Sequence, residues 1–158
     1  MRIILTLLII LVSSNIFSAN ITEQDKLATT NKLIKKYGIN SFMGYVISQE
    51  QSQYPLKKNI LDTITSVYYI KRTKAKVYKH ILNPEWRKII SNNAKISISE
   101  VDKHIHNLMQ KQSVNSLCSY KLNIIYFKNG VKILNIYSEV NGTKLFITEV
   151  KLSNCNAL

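Results

Sequence analysis

Residues 117–155 read LCSYKLNIIYFKNGVKILNIYSEVNGTKLFITEVKLSNC, and the rest of the chain is organised around them. The stretch opens with Cys118 and closes on Cys155, the two cysteines of the chain. Residues 122–127 are apolar and reach a break at Asn129-Gly130. Residues 131–138 read as a strand, Asn141-Gly142 as a hairpin turn with glycine in the left-handed region, and residues 143–152 as the return strand. The pattern predicts one disulfide that ties a helix end to the last strand.

Whether two cysteines pair depends on the compartment, and the start of the chain speaks to that. Arg2 precedes a run from Ile3 to Val12 that is apolar except for Thr6, and Ser18-Ala19 offers small residues for cleavage. This is the pattern of a secretory leader over 1–19, with an apolar run too short for a permanent membrane span. An oxidising compartment then favours the bridge. Residues 20–158 are expected to form a single domain, periplasmic or secreted, with no lipid-bearing cysteine at the cleavage point. The formal charge of +13, with 22 Lys and Arg against 9 Asp and Glu, favours anionic partners such as nucleic acid, lipid headgroups, acidic polysaccharide or an acidic protein, against a reading as solvated surface charge spread along the chain.

Working outward, Thr22 and Asp25 form a capping-box pattern, and Gly38 is placed to end a helix over 23–36. Residues 48–53 read as a polar loop. A first hairpin follows, with strands over 60–70 and 75–82 and a basic turn at Lys71-Arg72-Thr73-Lys74. Asn83-Pro84-Glu85 reads as a helix start, and Ser91-Asn92-Asn93 as its break. Ser99 with Asp102 is a second candidate cap, opening a helix to about Gln112 in which Val101, Ile105, Leu108 and Met109 make one apolar stripe. A further turn brings Leu117 and Cys118. The fold class predicted is α+β: an antiparallel sheet of four to five strands from two hairpins, with helices packed on it.

Residues able to carry chemistry are sparse. His104 and His106 are two apart on a helix and point away from each other, and His80 sits on a distant strand. All three are expected on the surface or on helix flanks. No metal-ligand spacing and no phosphate-binding glycine loop is present, so no metal or cofactor is expected. Carboxylates are explained by helix starts and hairpins, with no matched acid and base. The basic first hairpin, Lys71, Arg72, Lys74, Lys76 and Lys79, is a candidate anion-binding group. Nucleic acid is disfavoured for an exported chain, whereas an anionic envelope surface fits.

Certain residues carry a resemblance. Residues 65–69 (TSVYY), the basic turn, Val77-Tyr78-Lys79, Leu117-Cys118-Ser119, Gly130-Val131, Ile136-Tyr137, Asn141-Gly142, residues 146–148 (FIT) and Cys155 resemble small exported bacterial α+β proteins, mostly of unknown function. The layout over 55–155 is similar to one kind of disulfide-bonded type II secretion pilotin. The resemblance implies a small periplasmic protein that binds the C-terminal tail of a secretin and escorts it to the outer membrane. Ile133 and Leu134 stand where those pilotins usually have tyrosine and arginine, and those pilotins are usually lipoproteins.

Together these readings describe a non-enzymatic, pilotin-like binding or assembly protein that receives a peptide segment of an envelope or secretion partner. The groove expected for it lies between helices and sheet, at Val101, Ile105, Met109, Leu134 and Ile136. The alternatives are a basic accessory or inhibitor protein at the anionic cell envelope, and a hydrolase whose residues are distant in sequence.

Overall fold

The computed structural model describes residues 22–155; the expected leader lies outside them. Helix α1, Glu23–Tyr37, opens with the capping box read from the sequence. The Thr22 hydroxyl accepts from the Asp25 N–H at 3.1 Å, and the Asp25 carboxylate accepts from the Thr22 N–H at 3.1 Å. Gly38 ends it at φ +78°, a conformation that glycine adopts without steric cost, and its N–H donates to the Ile34 carbonyl. Helix α2, Ile39–Glu50, follows at once, then a 3-10 turn at Gln51–Gln53. The polar loop expected over 48–53 is therefore helical throughout, its first half α and its second half 3-10. Met43 and Ile47, four apart and both buried, hold that helix on the core.

Strand β1 is Leu56–Lys57, β2 is Asp62–Ile70 and β3 is Ala75–Leu82. Helix α3, Trp86–Ala94, begins two residues after Pro84 because Asn83 first makes a tight turn, its side-chain oxygen accepting from the Glu85 N–H. The helix runs through Ser91-Asn92-Asn93 and stops at Lys95, φ +54°. Helix α4, Ile98–Cys118, is capped by Ser97 and Glu100, two residues earlier than the expected Ser99 and Asp102. Its run is unbroken to Cys118. Helix α5 is Lys121–Lys128, β4 is Lys132–Ser138 and β5 is Lys144–Val150. The last strand is shorter than its expected span, and Leu152 begins a single helical turn, α6, Leu152–Cys155.

The sheet has five strands in the order β1-β2-β3-β4-β5. Each hairpin is antiparallel, as its turn requires, but β3 and β4 pair in parallel, Val77 opposite Leu134 and His80 opposite Tyr137. The seam is parallel because α3, α4 and α5 return the chain to the end of the sheet where β3 began. A parallel neighbour needs such a crossover.

The register assigns the two sheet faces. On the helix side stand Val67 and Tyr69 of β2, then Lys76, Tyr78 and His80 of β3, Ile133, Asn135 and Tyr137 of β4, and Thr148 and Val150 of β5. Three apolar clusters form there. Ile34, Met43, Ile125, Tyr126 and Val131 join α1, α2 and α5; Leu82, Trp86, Val101, Ile105 and Tyr137 join α3 and α4 to the sheet; Phe127, Ile133 and Val150 lie beside the disulfide. Leu134, Ile136 and Ile147 point to the other face, are half-buried, and belong to none of these clusters.

Candidate binding cleft

Helix α4 lies along β5 and leaves the centre of the sheet partly uncovered. Its side chains replace the strand that β5 lacks on its outer edge. His106 donates from Nε2 to the Ile147 carbonyl at 3.0 Å. Gln110, one helical turn on, donates to the Glu149 carbonyl at 2.8 Å and accepts from the Glu149 N–H at 3.0 Å. An edge strand covered in this way is closed to further pairing. The Cys118–Cys155 bond, spanning 37 residues with Cα atoms 5.3 Å apart, fastens the end of α4 just beyond β5.

With α4 held over β5, a cleft of about 460 Å³ opens between it and β1–β3. One wall is α4 and α3, through Trp86, Ile90, Ile105, Met109 and Leu117. The facing wall is the segment from Tyr54 to Ile64, including Leu56 and Leu61. Leu56 is 41% exposed at the rim.

The floor is polar. Asp62 accepts from His80 Nδ1 at 2.9 Å, and His80 Nε2 lies 3.3 Å from the Asn135 side-chain oxygen. Asn135 donates to the Thr148 hydroxyl at 3.0 Å, and the Ser113 hydroxyl of α4 lies 3.2 Å from that of Thr148. One side chain from each of four adjacent strands thus joins a single row, buried except at Asp62, with the Tyr137 ring tilted against that of His80 at 4.4 Å. Burial and, secondarily, the charge of Asp62 push the Tyr137 hydroxyl up to about 12. Tyr54 is likewise raised to about 12 by burial first, with Tyr78 and Glu50 adding to it.

The row braces the sheet more readily than it does chemistry. His80 has a carboxylate on one nitrogen, as a catalytic base would, but its other nitrogen faces Asn135 and not a hydroxyl or thiol. Among the described residues no group of three or more His, Cys, Asp or Glu is placed to hold a metal ion. Trp86 lines the cleft with its ring and is 2% exposed, and its buried indole N–H meets no acceptor among the described residues.

The residues singled out in the sequence are distributed unevenly. Ile105 and Met109 line the cleft, while Val101, 1% exposed, lies in the core beside Trp86. Leu134 and Ile136 are on the opposite sheet face and do not share a surface with Met109. Of the basic group, Lys71, Arg72 and Lys74 are exposed at the hairpin turn. Lys79 is exposed on the outer face over the Tyr68 ring. Lys76 is buried on the helix side, 2.7 Å from Glu50. His104 and His106 are exposed on α4, whereas His80 is 6% exposed and not a surface histidine. The reason is the inverted pattern of β3: Lys76, Tyr78 and His80 face the helices, while Val77 faces away. Asp62, Asn135 and Trp86 were not legible as cleft residues, since each joins it only through strand pairing or a helix far along the chain.

No family model matches the chain, and no curated protein matches it. Solved structures do. A candidate secreted protein of Pseudomonas aeruginosa superimposes with a TM-score of 0.54 at 11% identity, over 82% of this chain and 96% of that one. The type 2 secretion pilotin EpsS of Vibrio vulnificus matches with a TM-score of 0.53 at 10% identity, over 81% and 96%. The type II secretion pilotin AspS of Vibrio cholerae gives 0.53 at 16% identity, over 82% and 98%. At these identities the likeness is one of fold: the chain carries, nearly entire, the α+β disulfide-bonded fold seen in type II secretion pilotins.

Proposed function

We propose that this chain is a non-enzymatic, exported binding protein of the pilotin kind. It captures a short amphipathic helix from an envelope or secretion-system partner, of the secretin-tail type, in the cleft between α4 and β1–β3. The observation that carries this reading is the cleft itself, apolar on both walls and held open by the covalent anchoring of α4 beyond β5. A preformed groove lowers the ordering cost of binding. A helix presenting anchors at i, i+3 or i+4, and i+7 suits it. The site is Ile105, Met109, Trp86, Leu56 and Leu61; Val101, Leu134 and Ile136 are left out of it.

Pull-down from envelope extract with wild type and Met109→Asp in parallel tests the reading. Wild type is expected to retain a secretin-like partner that folded Met109→Asp loses. Trp86 is the one tryptophan of the chain, so its fluorescence reports occupancy directly when a peptide of the captured segment is titrated. Equal capture by both proteins, or a titration that leaves Trp86 emission unmoved, places binding elsewhere.

A further inference from the structure

Six cations gather at one end of the sheet. β2 ends, β3 begins, β4 begins and β5 ends at one end of the sheet. There Lys71, Arg72 and Lys74 form the turn, Lys128 closes α5, and Lys132 and Lys151 flank the strand ends. The Lys132 N–H donates to the Lys74 carbonyl at 3.0 Å, and Lys74 Nζ donates to the Asn129 carbonyl at 3.4 Å, so turn and α5 end are joined. At roughly 4.8 Å between neighbouring strands, the row spans about 15 Å. Among the described residues, two of the six cations are ion-paired, both with Glu149, which lies 2.7 Å from Lys132 and 3.4 Å from Lys151. At the opposite end of the sheet the charges are mixed: Lys57, Arg87 and Lys144 stand with Asp62, Glu85 and Glu139, and Arg87 bridges Asp102 and Glu139.

Apolar side chains stand among these cations. Ile70, directly before the turn, is 39% exposed. Tyr37, the last residue of α1, is 46% exposed, and the Asn40–Tyr69 hydrogen bond of 2.8 Å places it at the same end of β2. Lys36 lies over its ring at 4.9 Å. Basic side chains around exposed apolar and aromatic groups match a bilayer interface, where phosphate headgroups take the charges and the boundary takes the rings. A polyanion without an apolar boundary would leave Ile70 in water.

We propose that this end of the sheet is a docking face for an anionic phospholipid surface. None of its cations lines the cleft, so the chain can lie on a membrane with the cleft free.

The test is co-sedimentation of the full chain with vesicles of phosphatidylcholine alone, or with roughly one third phosphatidylglycerol. Binding is expected to the anionic vesicles, falling steeply with salt. Each basic residue against such a surface strengthens binding about five-fold, so the Lys71→Gln/Arg72→Gln/Lys128→Gln variant should bind on the order of 100-fold more weakly. The Lys88→Gln/Lys103→Gln/Lys144→Gln variant removes the same charge elsewhere and should stay within about three-fold. Ile70→Ser should weaken vesicle binding while leaving retention on heparin unchanged. Equal losses in the two triple variants, an Ile70→Ser protein that binds vesicles like wild type, or tighter binding to a single-stranded oligonucleotide than to anionic vesicles would each overturn the proposal.

Discussion

The two hairpins contribute to one sheet, yet they are finished differently. The second, β4–β5, is sealed: α4 lies along it, His106 and Gln110 occupy its outer main-chain groups, and the disulfide closes its end. The first, β1–β3, is left open. Its outer strand is two residues long, and the segment leading from it to β2 bears Ile60 63% exposed. Where α4 is fixed over one hairpin it cannot cover the other, so the cleft is a consequence of the seal. The sealed half should govern stability, and the open half should govern binding.

The largest effect is expected from the seal. Cys118→Ser with Cys155→Ser frees a loop of 37 residues, for which the chain-entropy model gives about 3–4 kcal/mol. Urea unfolding should register a loss of roughly 2–5 kcal/mol. A smaller loss than that of any single core substitution would mean that packing of α4 alone holds the second hairpin.

Next comes the ion pair of α2, buried on its lysine side. Lys76 is 3% exposed, with Glu50 at 2.7 Å and the Tyr78 ring at 5.1 Å. Burial, with Glu50 close by, also keeps the Tyr78 hydroxyl well above its ordinary range. Lys76→Met should cost about 3 kcal/mol because it takes the cation from Glu50 and leaves it the Tyr78 hydroxyl alone. Adding Glu50→Gln should recover part of that loss, and a double variant as unstable as the single would assign the loss to packing.

These two cases mark what the sequence could and could not reveal. The Cys118–Cys155 bridge, the Thr22 cap, both hairpins and the Asn141-Gly142 turn were legible because each rests on neighbours in the chain or on a compartment argument. The parallel seam was not, since nothing in residues 75–82 or 132–138 states which way they pair. Lys76 and His80 were misleading for a further reason. A polar residue on a strand signals a solvent face only when no partner awaits it, and Glu50 and Asp62 lie 26 and 18 residues away.

Gln110→Ala asks how the edge is closed. It removes two hydrogen bonds to the main chain of Glu149, each contributing about 0.5–1.5 kcal/mol. Stability should fall by about 1–2 kcal/mol, and β5 should gain an edge able to pair with a second chain. Light scattering on heating should therefore rise earlier than for Gln112→Ala, whose side chain makes no such bond. Identical scattering from the two would show that the bulk of α4 protects the edge without help from Gln110.

The smallest stability effect belongs to the open half, and it separates the two regions most cleanly. Leu56 is on the two-residue edge strand, 41% exposed, and forms the rim of the cleft opposite α4. It belongs to none of the three core clusters, so Leu56→Ser should change unfolding free energy by less than about 0.5 kcal/mol. If an amphipathic helix occupies the cleft, the same side chain is an anchor. Removing an apolar contact from a filled groove should then weaken binding by about 1–2 kcal/mol, or roughly five- to thirty-fold in Kd. The two quantities come from one protein, by urea unfolding and by peptide titration against Trp86 fluorescence. A variant that loses stability and affinity together would make the rim part of the core and erase the contrast between the hairpins. Unchanged affinity with unchanged stability would leave the cleft open but put the partner elsewhere.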